Sequence, residues 1–422
     1  MDGDSDTGQP SDCSVQDTMH ALVDAGANDA SPSGQQTDLP PAIAMASDGS
    51  YAVAWTTQAL GAAGVTPQAW VARFSPGGAA VGDPVLVSEL AEALRTPALA
   101  LADDGSFVVV WLAQIDNFGS AGWGDVMLRR FDADGDPLAD ATTVDPQARL
   151  SQLQPSIDMA ADGRFVVGWS PSYFTGINTA HIDFAFAMYE ADGSPAGAPQ
   201  SPHPLMTGIR YAGDVALGPD GDVAVVWGAL PTHQQLFVRR YAADGSLLHD
   251  TVVIEFPAVA YEYSDPDGAV TLAPNGDAVV SWIDGAEPNA QPAARLQAFT
   301  AQGDAVFDAV TLAGGLPATA RAATGVNANG QILALVGATD DGAPSLLLER
   351  FDPLGVALAP PVPMPAGLQT TIVGALATSP CRYDAVAAVV EEFGATPFGV
   401  HAVELQAQQR ADAQKPCCRG DQ

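Results

Sequence analysis

A pattern of about 55 residues recurs along the chain, and this repetition restricts the fold more than any other feature. Its first part is an apolar alternation, an Asp-Gly or Asn-Gly turn, and a second apolar run that ends in Trp. Clear copies occupy residues 41–55, 97–111, 155–169, 213–227 and 268–282, and weaker copies occupy 324–336 and 371–390. The chain is therefore predicted to contain seven copies of one structural unit.

A second apolar run follows each copy and ends in a Gly turn, as at 71–78, 128–135, 187–193, 238–245, 296–303 and 348–355, with 401–408 as the last copy. In the first unit, alternation and turns predict strands A (Ile43–Ala46), B (Ser50–Thr56), C (Ala69–Phe74) and D (Ala80–Val87). Asp48-Gly49 favours a tight A–B hairpin, because Gly readily adopts the positive φ that such turns need. Four antiparallel strands repeated seven times predict an all-β fold, a seven-bladed β-propeller of four-stranded antiparallel blades.

The same residues carry a family resemblance. The Asp-Gly turn paired with a later DADG turn resembles bacterial extracytoplasmic β-propeller repeat proteins of TolB-like architecture over residues 41–408, including repeats of the form DGSFVVVW and RFDADG. This resemblance implies a propeller and an extracytoplasmic location, whether secreted, periplasmic or at the cell surface. The WSPDG signature of TolB-type propellers is absent, so no partner is carried over. The leading segment MDGDSDTGQPSDC also resembles the polar tether after the lipidated Cys of bacterial lipoproteins, which implies a lipid-anchored precursor.

The charge of the chain excludes one class of partner. Asp and Glu total 50 against 16 Lys and Arg, for a formal net charge of −34, so no basic face is available to bind nucleic acid. Forty of the acids are Asp, a residue that favours tight turns, so the acidity largely reflects the many hairpins. We expect neither a transmembrane segment nor an intact signal peptide, because no long apolar window is present.

A ring of repeats must join its first and last units. The last unit offers strands A, B and C, but residues 411–422 contain no apolar run for strand D. Residues 18–25 stand where a preceding strand D would, so we expect this N-terminal strand to close the last blade; a short helix is the alternative. The predicted domains are a flexible N-terminal tether over 1–16, the propeller over 17–408, and a C-terminal tail with cysteines over 409–422.

Four cysteines lie toward the two ends of the chain: Cys13, Cys381, Cys417 and Cys418. Four cysteines allow three pairings, and the predicted closure brings all four near one face of the ring. We expect Cys13 to bridge to Cys417 or Cys418, with Cys381 taking the other. Such disulfides would restrict the unfolded chain and would form in an oxidising compartment. Four free thiols are the alternative.

Two residue types recur at fixed repeat positions and are interpreted as structural. Trp recurs six residues after the turn Gly, which favours packing between neighbouring blades, at Trp55, Trp111, Trp169, Trp227 and Trp282. Arg precedes an aromatic residue at the end of strand C, which indicates pairs or stacks at the surface, at Arg73, Arg130, Arg240 and Arg350.

A ligand site is expected on the face with the B–C loops and the D–A links, because these connections vary while the hairpins repeat. The predicted ligand-binding residues are aromatic or His side chains of the B–C loops and arginines of four D–A links: Trp123, Tyr173, His181, His233, Arg95, Arg149, Arg210 and Arg321. Arginines converging on the channel would suit an anionic ligand or an acidic substrate. The alternative is that each arginine pairs with a neighbouring Asp.

A calcium candidate lies in the second unit. Asp132, Asp134 and Asp136 offer oxygen ligands at alternating positions, as a calcium loop does. The same stretch is the C–D turn of every repeat, and the other copies lack the third Asp, which favours a turn. We therefore expect no cofactor, with calcium as the alternative.

The sequence favours a non-enzymatic module that binds a protein, a glycan or a small anionic ligand, or that serves as a scaffold. No GxSxG, HExxH or P-loop motif occurs. The alternative is a propeller hydrolase or lyase with carboxylates and His181 or His233 on the B–C loop face. A convergent cluster of His, carboxylate and Arg residues would favour the enzyme.

Overall fold

The fold is all-β. A computed structural model describes residues 15–18, 35–36, 41–59, 68–76, 78–89, 97–114, 124–145, 152–176, 179–202, 210–229, 234–249, 252–256, 268–284, 293–312, 322–340, 343–363, 370–378, 385–393 and 396–407. Within these ranges the regular elements are strands, and no helix is present that could span a membrane.

The strands group into antiparallel sheets that follow the repeats in chain order. Sheet 1 contains β2 (Gln35–Gln36), β3 (Ala42–Met45), β4 (Tyr51–Ala59), β5 (Gln68–Phe74) and β6 (Val85–Glu89). Sheet 2 contains β7 (Ala98–Leu101), β8 (Phe107–Gln114), β9 (Gly124–Phe131) and β10 (Thr142–Thr143). Sheet 3 contains β11 (Gln152–Met159), β12 (Phe165–Gly176), β13 (Thr179–Ile182) and β14 (Ala185–Tyr189). Sheet 4 contains β15 (Arg210–Leu217), β16 (Val223–Ala229), β17 (Gln234–Tyr241) and β18 (Val252–Phe256).

The later repeats form three further sheets. Sheet 5 contains β19 (Gly268–Leu272), β20 (Ala278–Asp284), β21 (Ala293–Phe299) and β22 (Val310–Thr311). Sheet 6 contains β23 (Ala322–Val326), β24 (Ile332–Asp340), β25 (Ala343–Phe351) and β26 (Val362–Pro363). Sheet 7 contains β27 (Thr370–Thr378), β28 (Ala385–Phe393), β29 (Thr396–Ala407) and the N-terminal β1 (Val15–Thr18). Among the described residues, six of the sheets have four strands and sheet 1 has five, an antiparallel arrangement that is consistent with a β-propeller.

The predicted A–B hairpin of the first unit is confirmed. Strands β3 and β4 pair across the Asp48-Gly49 turn, and Gly49 has φ of 89°. The Ala46 amide donates to the Ser50 carbonyl at 2.8 Å, which closes the turn. Predicted strand ends differ from the observed ones by a few residues, since pairing with a neighbour extends β4 beyond the apolar run.

The recurring tryptophans pack between sheets, as predicted. Trp111 of sheet 2 belongs to one apolar cluster with Ala54 and Val71 of sheet 1. Trp227 of sheet 4 packs likewise with Phe184 and Phe186 of sheet 3, and it is 1% exposed. Apolar side chains therefore join each of these sheets to the preceding one.

The first strand of each repeat contacts its counterpart in the next repeat. These contacts run from β3 to β7, β11, β15, β19, β23 and β27 in turn, and β27 also contacts β3. In a propeller the innermost strands make such contacts around the central axis.

The N-terminal strand lies earlier in the chain than the sequence predicted. Residues Val15–Thr18 pair with Ala407–Glu404 of β29, whereas the expected outer strand covered residues 18–25. Residues 19–34 lie outside the described part of the chain. The pairing segment VQDT contains a single apolar residue, as suits an edge strand with a solvent-facing side.

Candidate functional site

In sheet 3 the B–C connection is an extended hairpin whose returning strand, β13, is separate from β14. Strand β12 continues past Trp169 to Gly176, and β13 returns antiparallel beside its second half before β14 begins. The sequence predicts this segment to be a B–C loop. Two predicted ligand-binding residues face each other in the register of the hairpin, because Tyr173 pairs with His181.

The hairpin lies against the first strand of sheet 4. Both β12 and β13 contact β15, which begins at Arg210. Arg210 pairs with Ala229 at the end of β16, so it belongs to an inner strand and not to a D–A link as expected. Three candidates distant in sequence, Tyr173, His181 and Arg210, thus lie on strands that meet at the boundary between sheets 3 and 4. We call this set the hairpin corner.

Two carboxylates connect inner strands near the same boundary. Asp158 of β11 accepts the Leu217 amide of sheet 4 at 2.7 Å and its neighbour Met159 at 2.8 Å. Asp214 of β15 accepts the Val270 amide of sheet 5 at 3.0 Å and the adjacent Val215 amide at 2.9 Å. Each carboxylate therefore connects its own sheet to the next one.

Burial controls the ionisation of both groups. Desolvation raises the pKa of Asp158 to about 6, although two backbone N–H groups stabilise its charged form. Desolvation likewise raises the pKa of Asp214 to about 7, and the negative charge of Asp158 adds to the increase. Acids with such pKa values are frequent at functional sites, but both also have a structural role here through their backbone contacts.

Known proteins resemble the chain in fold and not in sequence. No protein-family model matches it, and no curated protein matches it. Among solved structures, an ulvan lyase of polysaccharide lyase family 25, bound to -[GlcA(1-4)Rha3S]-, is 12% identical with a TM-score of 0.56, covering 87% of this chain and 94% of that one. The polysaccharide lyase Uly1 is 11% identical with a TM-score of 0.53, covering 88% and 90%.

A third similar structure has no assigned activity. It is a protein of unknown function from Dyadobacter fermentans DSM 18053, 10% identical with a TM-score of 0.51, covering 89% of this chain and 96% of that one. At these identities the likeness concerns the fold alone. It supports a repeat propeller, and it does not support the specifically TolB-like architecture expected from the sequence.

The remaining predicted site residues fall outside the described part of the chain. This applies to the other arginines and aromatic or His candidates, and to every cysteine of the predicted disulfides: Arg95, Arg149, Arg321, Trp123, His233, Cys13, Cys381, Cys417 and Cys418. Their roles stay predictions.

The calcium candidate has the geometry of an ordinary turn. Asp132 Oδ1 accepts the amides of Asp134 at 3.0 Å and Asp136 at 2.8 Å. In sheet 6, Asp352 Oδ1 accepts two turn amides in the same way, without the additional acids. Among the described residues, no group of three His, Cys, Asp or Glu side chains is arranged to hold a metal ion.

Sequence reasoning missed Asp158 and Asp214. Each is an acid at an inner-strand position that is apolar in the first two repeats: Ala44 and Ala100 correspond to Asp158, and Ala42 and Ala98 correspond to Asp214. An acid at an apolar repeat position was the available signal. Its consequence depends on the neighbouring sheet, about one repeat away in sequence, which a local pattern does not describe.

Proposed function

We propose that this protein is an enzyme that cleaves an acidic glycan at the hairpin corner, by elimination or by hydrolysis. The observation that carries the proposal is the backbone register that pairs Tyr173 with His181 on a hairpin in contact with β15, the strand that begins at Arg210. A base, an acid and a cation thereby occupy adjoining strands, which is the combination that cleavage beside a carboxylate requires.

In an elimination, each of the three residues has one task. Arg210 would neutralise the sugar carboxylate, which makes the proton on the adjacent carbon more acidic. Neutral His181 would take that proton, and the electron pair would form a carbon–carbon double bond as the glycosidic carbon–oxygen bond breaks. The Tyr173 hydroxyl would then protonate the leaving oxygen. The products are an unsaturated uronate and a new chain end with a free hydroxyl.

The similar solved structures agree with this substrate class. Two are polysaccharide lyases, and one of these is bound to a glycan that contains GlcA, an acidic sugar. That information concerns those proteins. For this chain, arginine rather than a metal is the proposed partner of the substrate's acid group, in accord with the predicted preference for an anionic ligand.

We further infer that the sheets form the seven blades of a closed propeller over residues 17–408. The inference is supported by the succession of contacts between inner strands, which returns from β27 to β3. Ala377 of β27 also packs against the cluster around Trp55 and Tyr51 of sheet 1. Strand β1 begins at Val15, so the tether would be slightly shorter than residues 1–16.

The extracytoplasmic location, the lipid-anchored precursor and the disulfides among the cysteines remain part of the proposal. An enzyme that cleaves an extracellular polysaccharide works outside the cell, which agrees with the location. Peptide mapping without reduction tests the disulfides: a bridge from Cys13 to Cys417 or Cys418 is expected, and four alkylatable thiols would contradict it.

The activity is tested on a panel of uronate-containing polysaccharides and matched neutral ones. Elimination is measured by the ultraviolet absorbance of the unsaturated product, and hydrolysis by new reducing ends without that absorbance. We expect product from at least one acidic glycan. Binding without any product would overturn the proposal in favour of the non-enzymatic module.

Variants locate the reaction. Tyr173→Phe, His181→Ala and Arg210→Ala should each lower kcat/KM by about 10²-fold or more, since each removes a group that acts in the transition state. Arg164→Gln is the matched control, because Arg164 lies in an A–B turn and pairs there with Asp162 at 2.7 Å. Equal activity of the three variants and the control would exclude the hairpin corner as the site.

A further inference from the structure

Arginines that precede the aromatic residue of strand C connect neighbouring sheets. Their partners are backbone carbonyls in a turn of the next sheet. Arg73, at the end of strand C in sheet 1, donates to the carbonyls of Ala133 and Asp134 in the C–D turn of sheet 2, the second at 2.8 Å. Arg130 of sheet 2 makes the same contacts with the next C–D turn, including the Ala191 carbonyl at 2.6 Å. Arg73 and Arg130, which the sequence predicts to form surface pairs or stacks, therefore link neighbouring sheets through hydrogen bonds.

Arg240 of sheet 4 occupies the same repeat position but enters a deeper slot. Its side chain is 3% exposed and forms an ion pair with Asp222, next to the A–B turn of its own sheet. Its guanidinium also donates to the Gly276 carbonyl, in the A–B turn of sheet 5. A carboxylate from one sheet and a carbonyl from the next thus hold a planar cation between them.

The next boundary retains the acceptors of this slot but not its arginine. In sheet 5, the position of Arg240 is Ala298, whereas Asp277 corresponds to Asp222 and Gly330 of sheet 6 corresponds to Gly276. Ala298, Asp277 and Gly330 line one cavity of about 190 Å³ between sheets 5 and 6. The space that an arginine side chain fills at one boundary is a cavity at the following boundary. We call it the 5–6 cavity.

A second boundary shows the same correlation. Sheet 3 has Met188 at the arginine position, and Met188 lines a cavity of about 370 Å³ beside the C–D turn of sheet 4. The turn residues Ala243 and Asp244, which correspond to the acceptors of Arg73, line it as well. Loss of the arginine therefore accompanies a cavity at both boundaries, but only the 5–6 cavity adds a carboxylate next to the A–B turn.

We propose that the 5–6 cavity binds a guanidinium cation, with Asp277 and the Gly330 carbonyl as its acceptors. The chain itself shows the chemistry of such a slot, because the equivalent groups hold the guanidinium of Arg240. Asn275 Nδ2 donates to Asp277 Oδ2 at 2.8 Å and thereby orients the carboxylate.

The walls and the charge fit the same ligand. Val279, Ile332 and Pro353 line the cavity and suit an alkyl stem, as the stem of Arg240 is buried in its own slot. The net charge of −34 attracts cations to the protein in general. A single carboxylate is a poor site for a divalent metal, which prefers several oxygen ligands, but it matches the paired donors of a guanidinium.

Ethylguanidinium is the direct probe, because it supplies what Ala298 lacks relative to arginine. Protein-detected NMR titration should show saturable shifts at residues 273–279 and 328–332. Ethylurea, the neutral planar analogue, should give no saturable shift. Asp277→Asn should weaken ethylguanidinium binding about tenfold, since it removes a charge-assisted hydrogen bond. Equal binding of both probes would overturn the proposal.

Ala298→Arg should abolish the binding of ethylguanidinium, because the new side chain fills the cavity. Arg240→Ala offers an independent variant: it should create a second ethylguanidinium site at the boundary between sheets 4 and 5. Unchanged binding in the first variant, with no new site in a folded second variant, would refute the assignment. If Ala298→Arg fails to fold, the Asp277→Asn titration still decides.

The guanidinium has two sources, a small molecule or an arginine side chain of a partner. A blocked Gly-Arg-Gly peptide compared with ethylguanidinium distinguishes them. Binding of the peptide at least as tight as that of ethylguanidinium identifies a partner's arginine, whereas exclusion of the peptide identifies a small molecule. Binding of neither compound contradicts the proposal.

Discussion

The boundary between sheets 1 and 2 and the boundary between sheets 3 and 4 use the same repeat in different ways. At the first, Arg73 ties the sheets, and Ser47 donates to Asp103 of the next A–B turn at 2.6 Å through its hydroxyl. At the second, Met188 replaces the arginine and Asp158 makes the contact instead, from an inner strand to the Leu217 amide. The hairpin corner also lies at the second boundary.

This difference shows that the boundary between sheets 3 and 4 departs from the polar contacts that the repeat makes between sheets 1 and 2. Between sheets 1 and 2, polar contacts lie in the turns and the inner strands are apolar. Between sheets 3 and 4, a titratable carboxylate is buried near the axis and the outer contact is a cavity. Buried carboxylates with raised pKa values cost stability at neutral pH, and a boundary that tolerates this cost is a suitable place for a functional site.

The largest effect should be shared by both boundaries. Trp111→Ala and Trp227→Ala each remove a nearly fully buried indole from an apolar cluster between sheets. Each should lower the free energy of unfolding by about 3–5 kcal/mol, as large-to-small core substitutions do. Urea unfolding measures the loss. A loss below about 1 kcal/mol at either position would mean that the sheets are not joined through these residues.

The second predicted effect is a dependence of stability on pH, which arises from Asp158 at the boundary between sheets 3 and 4 and from Asp214 of sheet 4. Folded Asp158 and Asp214 keep their protons to about pH 6 and pH 7, whereas the unfolded chain releases them near the ordinary value of 3.8. The folded state therefore binds more protons between these limits. The free energy of unfolding should be highest in acid and should fall as the pH rises from about 4 to 7, by on the order of 3 kcal/mol for each of the two groups.

Asp214→Asn tests the origin of this pH dependence. Whatever its effect on absolute stability, it should reduce the slope of stability against pH by about half, since one of the two titrating groups is gone. Asp220→Asn, in the exposed A–B turn of sheet 4, should leave the slope unchanged. An identical slope in Asp214→Asn and the parent protein would show that this carboxyl ionises normally in the folded state.

The sequence predicts features that depend on residues close in the chain or on the repeat, and it does not predict which residues of different repeats contact each other. Turns such as Asp48-Gly49 and the buried position of Trp111 are local or periodic, so the repeat predicts them. The β12–β13 hairpin and the contact of Asp214 with the Val270 amide depend on how one unit meets the next. Deviations from the repeat mark these places, but their consequences depend on three-dimensional neighbours. Of the hairpin corner, the residue types were predicted and their pairing was not.

A third, smaller effect comes from exchanging the outer contacts of the two boundaries. Arg73→Met should lower the free energy of unfolding by about 1 kcal/mol, because two hydrogen bonds to an exposed turn are lost. Met188→Arg should raise it by up to about the same amount, since the C–D turn at Ala243 and Asp244 repeats the geometry that accepts Arg73. Thermal unfolding measures both. Stability changes of opposite sign in the two variants would support the view that the C–D turns at both boundaries accept an arginine in the same way. Destabilisation by both variants would show that the turns are not interchangeable.

The smallest effect concerns the C–D turns, where a regular and an acid-rich copy can be compared directly. Asp132 and Asp352 each accept two amides of their own turn, so Asp132→Ala and Asp352→Ala should cost a similar amount, about 0.5–1.5 kcal/mol each. Of these two turns, that of Asp132 contains the additional acids Asp134 and Asp136 and that of Asp352 does not, and calcium binding would exploit that difference. If both turns are purely structural, millimolar calcium should leave the melting temperature of the parent protein and of both variants unchanged. A rise in melting temperature with calcium that Asp132→Ala abolishes and Asp352→Ala retains would instead show that the second repeat carries a calcium loop.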